Sequence, residues 1–232
     1  MNDSQRERYL RNTMVDGFGE EAQEKLLRGR VCVVGAGGLG SAVLNYIVAA
    51  GVGHVTIIEH DTVSLGNLQR QTLYTIAELG QRKAEAAAAR LSRLNPGCRI
   101  EIVTTRLNAA DSARRLTGHD LIADCTDNYA TRYVIDDFCA ANSVPMVYGT
   151  AEQAGGQASV FHHAGAGGYR DMYPEEPEQK NIVGVLSPVV GIIGSIQAAE
   201  IIKVLTGFGA TLAGRLLTLN ARTMTFSEFK VR

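Results

Sequence analysis

The sequence predicts an α/β fold, a Rossmann-like, doubly wound and mostly parallel sheet extended at its C-terminal end by antiparallel strands. Three observations carry this prediction. Short runs rich in β-branched residues alternate with helical patterns between residues 30 and 150. A glycine motif, GAGGLG at 35–40, stands between the first such run and the first helix. After Gly149 the alternation gives way to runs spaced as a hairpin.

Taken in order, 31–34 reads as a strand, 41–50 as a helix, 55–59 as a strand and 83–94 as a helix. Strands at 99–104, 120–125 and 144–149 follow, with helices at 109–117 and 131–142 between them. This βαβ rhythm puts helices on both faces of a parallel sheet. Further strands are expected at 156–162, 215–219 and 222–229, the last two joined tightly around Asn220 and Ala221. The polar stretch 164–186, with two prolines and four acidic residues, reads as a lid or partner-binding crossover. A helix is then expected with Ser187 as N-cap, Pro188 in its first turn and Gly207 as its stop. Its apolar residues lie nearly all round, which predicts burial against the sheet or in a subunit interface. The apolar stretch 183–205 is broken by Ser187, Pro188, Gly191 and Gly194 and carries Glu200 and Lys203, so it reads as a buried helix and not a membrane span.

Composition narrows the function. With 232 residues, 45% hydrophobic and 20% charged, the chain has the balance of a globular domain, and 25 Gly with 5 Pro exclude collagen-like or low-complexity structure. Basic and acidic side chains number 23 and 24, so the net charge of −1 offers no global field for nucleic acid or an anionic membrane. The opening residues, MNDSQRERYLRN, have no apolar core or cleavage site, and a cytoplasmic protein is expected. The four cysteines, Cys32, Cys98, Cys125 and Cys139, form no C-x-x-C pair and read as small core residues.

The chemistry concentrates around the glycine motif. Gly35 permits the turn, Gly37 lets the backbone approach a phosphate, and Gly40 lets the helix pack close to the strand. The helix N-terminus then offers unpaired N–H groups to an anion. Glu59, at the end of the next strand, is placed to accept a ribose hydroxyl. The motif leaves ATP and nicotinamide dinucleotides undecided. Beyond Asp61, GNLQRQ at 66–71 and then Lys83 supply a cluster that a dehydrogenase does not need. Asn67, Arg70 and Lys83 are suited to β- and γ-phosphates. DCTDN at 124–128 closes the fourth strand at the edge where open sheets bind ligands, and Asp127 there suits magnesium. His162 and His163 read as surface residues on opposite faces of a strand.

RYLR at 8–11, GAGGLG at 35–40, GNLQRQ at 66–71, Lys83, DCTDN at 124–128 and PVVG at 188–191 resemble, in order and spacing, the ThiF/MoeB/HesA family of ubiquitin-activating-like adenylyltransferases. The resemblance covers nearly the whole chain. It implies ATP and Mg2+ as cofactors and, as reaction, adenylation of the C-terminal glycine carboxylate of a ubiquitin-like sulfur carrier with release of pyrophosphate. It implies that Gly38 lies against the nucleotide and Glu59 holds the ribose, with Asp61 beside it. Gly66, Asn67, Leu68, Gln69, Arg70 and Lys83 then form the phosphate site, and Asp127 holds magnesium with Asn128 beside it. Arg11 matches an arginine that reaches into the partner subunit's site of a homodimer. Under this resemblance the chain is one adenylation domain: a helical arm at 1–29, a nucleotide-binding half at 30–150, and a carrier-binding part at 151–232.

Some positions depart from the family pattern. Glu59 stands where the family usually has Asp, and Gly66 where it often has Ser. Many relatives bind zinc through two C-x-x-C pairs; Gly168 and Asp171 stand at the first and the chain stops at Arg232 without the second, so no zinc is expected. Lys180 stands where relatives carry a crossover-loop cysteine, so the chemistry is expected to stop at the acyl-adenylate, with sulfur arriving from sulfide, a persulfide donor or another protein. Alternative readings are adenylation of a modified tRNA base or a peptide terminus, a catalytically silent ATP-binding scaffold, and a nicotinamide-dependent oxidoreductase.

Overall fold

A computed structural model describes residues 1–178 and 183–231. Eight strands form one sheet: β1 (Arg30–Val34), β2 (His54–Ile58), β3 (Arg99–Val103), β4 (Leu121–Asp124), β5 (Met146–Glu152), β6 (Gly155–Phe161), β7 (Arg215–Asn220) and β8 (Thr225–Lys230). Their order is β3-β2-β1-β4-β5-β6-β7-β8, parallel through β5 and antiparallel beyond it. The helices are α1 (Asp3–Thr13), α2 (Gly19–Arg28), α3 (Gly38–Ala50), α4 (Lys83–Leu94), α5 (Ser112–Leu116), α6 (Tyr129–Asn142), α7 (Tyr169–Met172) and α8 (Ser187–Thr206).

The period of two along each strand divides the core into two layers. Val31 and Val33 face one way, with Leu26, Leu44, Ile47, Leu91, Val189 and Ile193 from α2, α3, α4 and α8. Cys32 and Val34 face the other, with Leu116, Tyr133, Phe138 and Tyr169 from α5, α6 and α7. All four cysteines are free and buried in these layers.

The expected α/β architecture is present, with differences that have local causes. The N-cap of α8 is Leu186, while Ser187 is already helical and turns its hydroxyl to the carbonyl of Gln69. Pro188 in the first turn and left-handed Gly207 at the C-cap stand as expected. The β7–β8 hairpin pairs Asn220 with Thr225, so its turn is 221–224 and wider than two residues. The 164–186 stretch contains α7, and Lys180 within it lies outside the described residues. β6 ends at Phe161, and His162 leaves it with φ +55. Its Nε2 then lies 2.7 Å from Asp136 Oδ1, so His162 is a half-buried anchor and not a surface residue. Asp136 also accepts the N–H groups of Tyr169 and Arg170, tying α7 to α6. By length and apolarity α8 could cross a membrane, yet it packs along α3, β5 and β6, with half of its apolar window buried.

Candidate active site

Strand order reverses where β1 lies between β2 and β4, and a cavity of about 740 Å³ opens at their carboxyl ends. Gly35, in the left-handed region at φ +94, turns the chain out of β1. A Cβ on Gly40 would lie 2.2 Å from the Gly35 carbonyl oxygen, so the close approach of α3 to the strand requires that glycine. The N-terminus of α3 has no side-chain cap and borders the cavity through Gly37 and Gly38, where its dipole favours an anion.

Glu59 is buried, and its two oxygens accept the N–H groups of Ala36 and Asp61, each at 2.9 Å. It therefore braces the glycine loop against the exit of β2, and each oxygen keeps a further lone pair for a hydroxyl donor. The Tyr74 hydroxyl donates to the Ala36 carbonyl and supports the same loop from below; burial pushes its pKa up. Lys83 is 3% exposed and its Nζ lies 3.1 Å from Asp61 Oδ2, while its backbone N–H donates to the Asp61 carbonyl. A lysine this buried is held at a fixed place on the cavity wall. Arg70 lines the cavity, and among the described residues its guanidinium hydrogen-bonds only to the Gly66 carbonyl, at 3.3 Å.

The opposite wall is the turn after β4. Asp124 is fully buried and accepts the Thr126 N–H and hydroxyl at Oδ1 and Arg132 Nε, at 2.7 Å, at Oδ2. Arg132 donates on to the Thr126 carbonyl and lies against the rings of Tyr148 and Tyr169. Burial opposes charge on Arg132, but the Asp124 carboxylate overcomes it and raises the arginine pKa above its ordinary value. This rigid knot leaves Asp127 exposed on the cavity lining, without a partner among the described residues. Such a carboxylate, beside bound phosphates and water, fits magnesium. Asn128 lines the cavity too, although its carboxamide oxygen caps α6 through Thr131 N–H.

The structure thus gathers Gly35, Gly37, Gly38, Glu59, Asp61, Gly66, Asn67, Arg70, Lys83, Asp127 and Asn128 around one cavity. Four sequence-predicted residues, Leu68, Gln69, Gly40 and Arg11, are not on its lining. Leu68 packs against the core, the Gln69 carbonyl holds Ser187, and Gly40 is consumed by helix–strand contact. Arg11 is exposed on α1 and is also absent from the lining of its own chain's cavity. Beside it, Tyr9 is buried, and its hydroxyl accepts from Asn95.

Sequence reading missed Gln71, Arg106 and Arg132, whereas the strap 183–187 falls almost wholly within the 164–186 stretch read as a lid or crossover. Gln71 lay inside a motif read for its cations, and Arg106 is a lone cation after β3 with no motif around it. Val183 and Val185 line the cavity, and the strap pairs with the β5–β6 turn at Gln153.

A family model described as the ThiF family matches residues 9–232. A sulfur carrier protein adenylyltransferase of Thermus thermophilus is 41% identical over 236 residues, covering 97% of this chain and 87% of the relative. The molybdopterin-synthase adenylyltransferase of Escherichia coli is 41% identical over 235 residues, covering 100% of this chain and 94% of the relative. Among solved structures, that of E. coli MccB with ATP superposes with a TM-score of 0.87 at 17% identity, covering 100% of this chain and 72% of that one. At that identity the likeness establishes the fold.

Proposed function

The chain belongs to the ThiF family, and from that premise we propose that it uses ATP to adenylate the C-terminal glycine carboxylate of a ubiquitin-like sulfur carrier, releasing pyrophosphate. One observation carries the reading: an anion-binding helix end, two phosphate-seeking cations and a free carboxylate converge on one cavity. The names of the full-length relatives support the acceptor.

In this reading α3 and its glycine loop receive the α-phosphate and Glu59 accepts from the ribose. Arg70 and Lys83, with Asn67, hold the β- and γ-phosphates. The carrier's carboxylate attacks the α-phosphorus in line with the departing pyrophosphate, so no protein nucleophile is needed. The protein contributes position and neutralised charge. Magnesium, held by Asp127 with Asn128 beside it, would screen the phosphate oxygens when bound. The carrier tail reaches the site beneath the strap, between Val183, Val185 and the end of β5.

A homodimer with Arg11 completing the partner's site fits the exposed place of that arginine. It also fits the open hollow of about 710 Å³ between the outer faces of α3 and α8, lined by Tyr46, Ile192, Ile196 and Phe226. The domain reading follows: an arm at 1–29, a nucleotide half at 30–150 and a carrier-binding part at 151–232. With Lys180 at the crossover and every cysteine buried, the reaction ends at the acyl-adenylate.

ATP–pyrophosphate exchange with magnesium, run with and without small carriers ending in Gly-Gly, tests the proposal. Exchange that depends on a carrier and is lost in Lys83→Ala and Arg11→Ala is the expected result. Tight ATP binding without exchange with any carrier would point to another acceptor or a silent scaffold.

A further inference from the structure

Gln71 is 4% exposed and lines the cavity, yet among the described residues its carboxamide makes no hydrogen bond. Its backbone is well held: the N–H donates to the Asn67 carbonyl at 2.9 Å, and the carbonyl accepts from Tyr74 N–H. The side chain therefore shares a rigid mount with Arg70. Its Oε1 is sealed without a donor. A buried orphan of this kind costs about 1–3 kcal/mol, which an apolar side chain of the same length would avoid.

The other end of the carboxamide, Nε2, lies beside the glycine loop. A Cβ on Gly37 would meet a single protein atom within 4 Å, Gln71 Nε2 at 3.5 Å. Gly37 is also the N-cap of α3, which has no side-chain cap. Two independent features, the uncapped helix end and the unpartnered amide donor, thus face the same space. Both are donors, so the ligand group they share is an anionic oxygen.

We propose that Gln71 recognises the α-phosphoryl group, its Nε2 donating to a non-bridging oxygen held at the N-terminus of α3. The inference rests on the adenine-nucleotide reading of the cavity and adds a residue and a job to it. Arg70 and Lys83 answer to the outer phosphates; Gln71 answers to the phosphorus that is attacked. A donor fixed there holds the phosphoryl group in line with the incoming carboxylate.

The test compares AMP with adenosine, which differ by that phosphoryl group alone. Calorimetric titration of the intact wild-type protein is expected to show tighter AMP binding. In Gln71→Met, of equal length and without a donor, AMP should lose about 10-fold in affinity while adenosine stays within about 2-fold. Gln71→Glu, which places an acceptor or a charge against the phosphoryl oxygen, should lose more. Thermal melts of both variants establish that they fold. An unchanged AMP-to-adenosine ratio in the folded variants would overturn the role of Gln71 alone, and so would equal weakening of both ligands. A wild-type protein that binds neither AMP, adenosine nor ATP would remove the nucleotide reading and this inference with it.

Discussion

The parallel centre of the sheet and its antiparallel edge differ in how much of themselves they bury. β1, β2 and β4 are buried along almost their whole length, with helices on both faces, whereas every residue of β8 at the far edge is exposed. The parallel half ends in buried charged side chains, each held by a partner: Lys83 by Asp61, Arg132 by Asp124, Glu59 by the glycine loop. The antiparallel edge instead leaves Phe226 and Phe229 about half exposed. A small, constant ligand such as a nucleotide can be met by a preorganised site, since fixed dipoles need no rearrangement during reaction. A folded partner needs an open surface to dock on.

The strongest way to break this contrast is to remove a lock from the parallel half. Arg132→Leu leaves Asp124 as an unpaired buried charge and should cost about 3–5 kcal/mol in a urea melt. A smaller loss would mean that water reaches the turn after β4. Under the proposed function Lys83→Ala removes a phosphate partner, so its exchange rate should fall about 10²–10³-fold while the fold survives. Retained activity would place the outer phosphates elsewhere.

Between these two regions lies the α6–α7 tie at Asp136. Burial raises the pKa of this carboxyl, but its hydrogen bonds from His162, Tyr169 and Arg170 outweigh burial and lower it below the ordinary value. A depressed carboxyl stabilises fully above its unfolded pKa, near 4, and the contribution is lost as pH falls through the lower folded value. Asp136→Asn should therefore destabilise by about 2–3 kcal/mol at neutral pH, with the difference closing at strongly acid pH in chemical denaturation. A difference constant with pH would show that the carboxylate charge is not what holds α7.

The mildest change belongs to the open edge. Phe229→Ser on β8 should alter stability by no more than about 0.5 kcal/mol. It should leave ATP binding unchanged and raise the KM for the carrier in the exchange assay several-fold. An unaltered KM would move docking off this edge.

The contrast also explains what could be read from the sequence. The parallel half was legible because its strands are short β-branched runs and its turns carry glycines whose geometry has a fixed purpose. Asn67, Arg70 and Asp127 were legible because each stands in a local motif, and Lys83 because it opens the helix that follows. Asp124 was hidden in the same motif as Asp127: a buried carboxylate is recognised by its distant partner, here Arg132. Gln71 was hidden because an amide carries no charge to mark it. His162 was misread because the left-handed residue that ends β6 is not a glycine. Ser187 was misread as a cap because its bond runs to Gln69, far away in the chain.

The strap over the cavity is pinned by the backbone of one residue. Gln153 donates its N–H to the Gly184 carbonyl at 2.7 Å and accepts from Leu186 N–H at 2.8 Å, with φ +55. What position 153 supplies to the strap is therefore main-chain conformation and not side-chain chemistry. Asparagine or glycine can replace this glutamine in a descendant without loosening the strap. Proline, which lacks the N–H, and valine or isoleucine, which resist a left-handed backbone, cannot.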